Sequence, residues 1–191
     1  MRRHFHFIIA TLFCAAALVG CKTSPMTSDV FTQSTPQAPL IHQKSRFVFP
    51  IQVGSFRRER PTQYDQAGED ISVGYNNYSI PIAVTVYVYP AHARSLTAEF
   101  TSRQAEILHA HPGAQLVVTS NVTITPAKIT ALSASYTFED RFAGAIQPLR
   151  SELLVAQSGE RFVEYRVTYP VSMLTSAQNE IAEFEREFAW P

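Results

Sequence analysis

Eight consecutive residues, Ile82-Ala83-Val84-Thr85-Val86-Tyr87-Val88-Tyr89, are apolar, β-branched or aromatic almost without a break. Side chains alternate across a strand, so a run that is apolar at both parities asks for cover on both faces. This requirement places the segment at the centre of a sheet and demands a layer on each side of it. The flanking runs supply the rest of a sheet. Phe47, Phe49, Ile51 and Val53 recur at period two, while Pro50, with no N–H to give to a ladder, assigns that strand to an edge. Glu69–Tyr75 alternates likewise and Asn76-Asn77 reads as a turn. Further strand-like runs occupy Gln115–Ile124, Lys128–Phe138, Leu149–Gln157 and Arg161–Tyr169, with hairpin turns expected at Thr125-Pro126-Ala127 and Ser158-Gly159.

Two helices are expected. Between Ser95 and Ala110, Leu96, Phe100, Gln104 and Ile107 fall at helical spacing, and Pro112-Gly113 stops the run. Near the end of the chain, Thr175 and Gln178 have the spacing of a capping box, in which each side chain satisfies an orphan backbone donor. Ala177, Ile181, Phe184 and Phe188 then draw one apolar stripe, opposed by Glu180, Glu183, Glu185 and Glu187. A stripe of that kind closes one face of a sheet. The resulting order, strands then helix then strands then helix, is an α+β domain with a mostly antiparallel sheet and helices packed on its faces. Arg46–Pro191 is a common length for one domain with one core, and no internal repeat divides it.

The beginning of the chain carries an address. Met1-Arg2-Arg3 precedes an apolar run from Phe7 to Val19, which is too short to span a bilayer comfortably and has the layout of a secretory signal. Its ending, Leu18-Val19-Gly20-Cys21, resembles the lipobox of bacterial lipoproteins. That resemblance implies cleavage of residues 1–20, a diacylglycerol on Cys21, and acylation of the new amino terminus; Lys22 in the next position implies the outer membrane, facing the periplasm. The alternative is an ordinary secreted protein with a cysteine at the cut site. Three acyl chains exceed what stable anchoring requires. Cleavage would also remove Cys14, leaving Cys21 as the sole cysteine with its sulfur blocked, so neither a disulfide nor a cysteine nucleophile is expected. The 16 Lys and Arg less Arg2 and Arg3 leave 14 against 16 Asp and Glu, a balance that gives no footprint for nucleic acid. Residues 21–45, rich in Ser, Thr, Pro and Gln, read as a disordered tether with a reach of roughly 27 Å. The alternative is an arm that folds against the domain through Phe31, Leu40 and Ile41.

A short Phe47-Val48-Phe49-Pro50 strand, one helix mid-chain, a run of antiparallel strands, and Phe162-Val163-Glu164-Tyr165-Arg166-Val167-Thr168-Tyr169-Pro170 leading into a last helix with Phe184 and Trp190 together resemble the PsbP-like fold. That group includes extrinsic photosystem subunits, a Ran-binding nuclear transport factor and DcrB-type bacterial lipoproteins. The resemblance implies a layered sandwich used mainly for docking or binding. It transfers no site residue.

Several constellations hold side chains suited to chemistry. Glu106, His109 and His111 are the best metal candidates, but His111 precedes Pro112 and is biased away from the helix, and His92 lies about 25 Å away across the helix. Neither a metal nor any other cofactor is expected. Glu139-Asp140 is an acid pair whose members point to opposite faces of a strand; a solvated loop is the expectation. No Gly-x-Ser-x-Gly elbow and no Gly-rich phosphate loop occur. Arg57-Arg58-Glu59-Arg60-Pro61 is the sharpest local charge feature and reads as a loop. Arg57, Arg58 and Arg60 with Tyr64 form the candidate interaction surface, since arginine and tyrosine are favoured at interface hot spots, and Tyr75, Tyr78, Tyr87 and Tyr89 add rings nearby. The expectation is a membrane-anchored, non-catalytic docking module for another envelope protein. Its alternatives are a binding domain for an apolar or lipid-like ligand beneath the Ser95–Ala110 helix and, more remotely, a hydrolase with an unrecognised site.

Overall fold

In the computed structural model, which describes residues 30–124 and 128–188, the apolar run becomes a strand at Ile82–Pro90 with a neighbour on each side. In chain order the strands are β1 (Phe31–Thr32), β2 (Leu40–His42), β3 (Val48–Phe49), β4 (Gln52–Val53), β5 (Phe56–Gln63), β6 (Ile71–Asn77), β7 (Ile82–Pro90), β8 (Gln115–Ile124), β9 (Ile129–Phe142), β10 (Ala145–Ser158) and β11 (Arg161–Pro170). Helix α1 is Leu96–Ala110 and helix α2 is Leu174–Glu187. Strands β4 to β11 make one antiparallel sheet in the order β4-β5-β6-β7-β11-β10-β9-β8, and β1 to β3 make a small second sheet. The α+β class with a mostly antiparallel sheet is therefore correct.

The two parities of β7 serve two separate cores. Val84, Val86 and Val88 face α2, where they meet Val73 and Tyr75 of β6, Val163, Tyr165 and Val167 of β11, and the small sheet. Phe184 is the hub of that core, with its ring 5.1 Å from Phe56, 5.3 Å from Tyr75 and 5.3 Å from Phe188. On the opposite face Tyr89, Phe162, Leu153 and Val155 pack against Phe100 and Ile107 of α1. Ser95 caps that helix, its hydroxyl accepting from the Ala98 N–H at 3.2 Å. Of the α2 stripe, Ala177, Ile181, Phe184 and Phe188 are all buried.

Several expectations need correction. The disordered tether does not extend to residue 45: from Val30 onward the chain folds back as an arm. Phe31 and Leu40 enter the α2-side core, β2 pairs with β3, and two large apolar side chains with ladder hydrogen bonds offset the ordering cost that polar composition implies. The capping box does not form. A 3₁₀ turn at Val171–Met173 feeds directly into α2, so Thr175 already lies inside the helix and cannot act as its cap. Glu139 and Asp140 lie on strand, not loop, because β9 and β10 continue together to a tight turn at Ala143 and Gly144, both at positive φ. Asn76-Asn77 ends β6, and the turn follows it, with Asn77 Oδ1 accepting from the Ser79 N–H at 2.9 Å. The signal segment, Cys21, Thr125-Pro126-Ala127 and Trp190 lie outside the described residues. Among the described residues, no helix is long and apolar enough to cross a membrane.

Candidate functional site

The expected arginine loop is strand β5. Arg57 pairs with Asn76 and Arg58 with Tyr75, so these neighbours leave opposite faces of the sheet. Arg58 points toward the α2 side and donates from Nη1 to the carbonyl of Phe49, whereas Arg57 and Arg60 are exposed. A bulge between Arg58 and Pro61 takes up the proline within the ladder. Tyr64 stands roughly 20 Å along the chain from Arg57, by strand rise. Its hydroxyl meets Ser72 Oγ at 2.9 Å and its ring stacks on Tyr87 at 6.1 Å. The structure does not gather Arg57, Arg58, Arg60 and Tyr64 into one patch.

Tyr64 instead borders a polar cleft of about 510 Å³ beside α1. The cleft is built from β7, β11 and α1, whose α1-facing positions carry charges where an apolar core would otherwise continue. Glu164 is 1% exposed, and it accepts from the Tyr89 hydroxyl at 3.0 Å and from Arg166 Nε. Glu99, 2% exposed, accepts from Arg94 Nη1 at 2.7 Å and from Arg103 Nε at 2.6 Å. Glu106 at the rim joins Arg103 at 2.9 Å and Arg166 at 3.1 Å. The guanidinium of Arg103 lies 5.1 Å over the Tyr89 ring, and that of Arg166 lies 5.7 Å over Tyr87.

Electrostatics separates the two buried acids. Burial raises the Glu164 carboxyl above the usual range against the pull of Arg166 and Arg103. Burial also acts to raise Glu99, but hydrogen bonds from Arg94 and Arg103 outweigh it and hold that carboxyl low. Tyr87 is pushed up to about 12, chiefly by burial. Each carboxylate is already engaged by guanidinium donors, the one arrangement in which buried ions are tolerated. The network thus braces α1 against the sheet. Its signals in the sequence are Glu164 and Arg166 inside the apolar run of β11, and Glu99, Arg103 and Glu106 at helical spacing, none of which stands out until helix and strand meet.

The histidine constellation disperses. Glu106 turns to the two arginines, and His111 stacks on Phe138 at 3.9 Å with Nδ1 3.4 Å from Asp140. Among the described residues no three His, Cys, Asp or Glu side chains converge to hold a metal.

Among the described residues, a run of three consecutive exposed apolar side chains lies on an edge. β8 is the outermost strand, paired only with β9, and its other side carries no strand among the described residues. Leu116, Val117 and Val118 are 53%, 50% and 51% exposed, and no residue from Gln115 to Ile124 is charged. Edges of this length are ordinarily guarded by Lys, Pro or brevity. The opposite edge follows that rule, since β4 is only Gln52–Val53. A bulge at Leu116–Val118 interrupts the start of β8, and Val118 to Ile124 pair regularly with β9.

No family model matches the chain, and no curated protein does. Among solved structures it is similar to cyanobacterial PsbP (CyanoP) from Synechocystis sp. PCC 6803, at 10% identity and a TM-score of 0.51, over 76% of this chain and 85% of that one. It also matches a protein of unknown function, PA94 from Pseudomonas aeruginosa, at 10% identity and a TM-score of 0.47, over 81% of this chain and 96% of that one. The first likeness shows the fold: it is PsbP-like.

Proposed function

We propose that this chain is an envelope lipoprotein, anchored through acylated Cys21, whose domain docks without catalysis onto another envelope protein by accepting an extended segment along β8. The observation that carries the reading is the uncharged, exposed edge from Gln115 to Ile124. Such an edge offers a row of backbone donors and acceptors, and addition of a strand satisfies them while alternate side chains give specificity. The buried ion network supports the same reading, because it stiffens the sheet that presents this edge. The apolar-ligand alternative looks for a cavity beneath α1, and that space is filled by Phe100, Ile107, Phe162 and Leu153.

The experiment has two arms. A photocrosslinker at Thr119 or Ser120 should capture a defined envelope protein in intact cells, and Val117→Lys with Val118→Lys should abolish capture without unfolding the domain. Cys21→Ser should move the protein from the detergent phase to the aqueous phase or leave it as an unprocessed precursor. Undiminished capture by the lysine variant rejects docking at β8; membrane partitioning that survives Cys21→Ser rejects the anchor.

A further inference from the structure

On the face opposite α1, a groove of about 610 Å³ runs between α2 and the β8–β11 half of the sheet. That volume is within the ordinary range for a small-molecule site. Its walls are mixed. Val122 and Ile124 of β8, Leu154 of β10 and Ala182 of α2 are apolar, while Glu152 from the sheet and Glu185 from the helix bring two carboxylates into the same space. We infer that this groove binds an organic monocation with an apolar body, an alkylammonium seated against Glu185 and Glu152 with its chain along Leu154, Val122 and Ile124.

The two acids differ in what already satisfies them. Glu152 accepts from the Tyr169 hydroxyl. The other helix acids are also engaged: Glu180 by Ser55 and Asn77, Glu187 by the Gly54 N–H at 2.9 Å, and Glu183 by Arg186 at 3.8 Å. Arg186, which lines the groove, pairs with Glu183 and Glu187 along the helix. Glu185 has no hydrogen-bond or ion-pair partner among the described residues. A half-buried carboxylate left in that condition favours whatever cation can reach it.

The apolar wall and the ligand count decide which cation. Calcium takes six to eight oxygens and magnesium keeps much of its water, whereas two carboxylates in a half-apolar groove suit neither. An alkylammonium needs only a charge partner and a dry surface for its chain. In the empty groove a proton stands in for the cation. Burial, and then the charge of Glu152, push Glu185 up to about 7. The groups facing it are Glu152 on β10, Tyr165 on β11 and Arg186 on α2, with Arg150 and Tyr169 beyond Glu152. Binding an ammonium therefore expels the proton from Glu185, and affinity rises as pH passes through that value.

Isothermal titration of the full chain with n-octylammonium tests this, with methylammonium (charge without chain) and octanol (chain without charge) as controls, all below micelle-forming concentration. Octylammonium should bind measurably where neither control does. For one proton released at about 7, affinity should tighten about tenfold between pH 6 and pH 8. Glu185→Gln, close to isosteric, should weaken binding at least tenfold and flatten the pH dependence. Leu154→Trp, which fills the groove, should block it while circular dichroism stays native. Equal binding of octanol and octylammonium, or unchanged binding in Glu185→Gln, would overturn the assignment. The groove shares Val122 to Ile124 with β8, but capture at Thr119 or Ser120 and its loss in the Val117→Lys, Val118→Lys variant are read without the ammonium, so the two tests fail separately.

Discussion

The Nε2 of His42 lies 2.7 Å from the carbonyl oxygen of Gly68. A carbonyl only accepts, so the ring carries its proton on Nε2, and Nδ1 then accepts from Ser45 Oγ at 2.7 Å. This neutral, buried imidazole pins the N-terminal arm to the β5–β6 connection. Burial is the main reason that its pKa lies below the usual histidine value.

The sign of the pH effect follows. The unfolded histidine takes up a proton near pH 6.5 while the folded one resists, so the stabilisation is complete above that value and is lost as pH falls through the lowered folded value. Hydrogen-exchange protection over residues 30–45, taken relative to the intrinsic rate at each pH, should fall between pH 7 and pH 5. In His42→Ala that protection should be low at every pH, with the slope gone. Gly68→Ala should free the arm equally, because Gly68 sits at φ +67° and a Cβ there would stand 2.5 Å from Val30 Cγ2.

Removal of the arm should be costly. A chain beginning at residue 46 loses the buried side chains of Phe31 and Leu40 and uncovers Phe49. Compared with a chain beginning at residue 30, its unfolding free energy should fall by about 3–6 kcal/mol, at ~1.5–3 kcal/mol for each large apolar side chain. Urea titration of both measures the difference. A change under about 1 kcal/mol would mean that the arm rests on the surface without contributing.

Phe184→Ala should destabilise by about 3–5 kcal/mol, because it leaves a cavity among Phe56, Tyr75, Tyr165 and Phe188. For a chain of this size the melting temperature should drop on the order of 10 °C. Calorimetry reads it directly.

The three arginines of β5 should separate by behaviour. Arg57→Ser together with Arg60→Ser should change stability by less than about 0.5 kcal/mol, since both are exposed. Arg58→Ser should cost about 1–3 kcal/mol, because it removes the donor to the Phe49 carbonyl where β3 leaves the sheet region. Chemical denaturation of the two variants makes the comparison, and equal effects would show that Arg58 is no more engaged than its neighbours.

What could be read from the sequence was whatever depends on local periodicity. β7 and the stripe of α2 announced themselves because one needs cover at both parities and the other repeats at helical spacing. α1 was bounded by Ser95 and Pro112-Gly113 for equally local reasons. The failures depended on tertiary partners. Composition averaged over residues 21–45 outweighed Phe31 and Leu40, which figured only in the alternative of a folded arm, and hid His42, whose partner Gly68 lies far along the chain. Arg57 to Pro61 looked like a loop because charge and proline signal solvent, yet an edge-proximal strand with a bulge tolerates both. The Glu99–Arg103–Glu164–Arg166 network was illegible since half of it lies on a helix and half on a strand some sixty residues later, and only their meeting neutralises the charges. The exposure of β8 needed strand order: Leu116-Val117-Val118 has the composition of a core strand and becomes an edge only through topology.

The sheet also dictates an order of assembly. β4 to β7 form one meander between near neighbours in the chain, and β8 to β11 form another, so each requires only short loops to close. The single seam between them is β7 against β11, where Ala83 meets Thr168 and Pro90 meets Arg161 with α1 and three strands in between. Pairing across that separation carries the loop-closure entropy that slows folding of high-contact-order proteins. The seam is also the axis of both cores, so neither helix has a complete bed until it closes. Among the pairings of the large sheet, β11 on β7 therefore closes the longest loop and carries the greatest entropic cost.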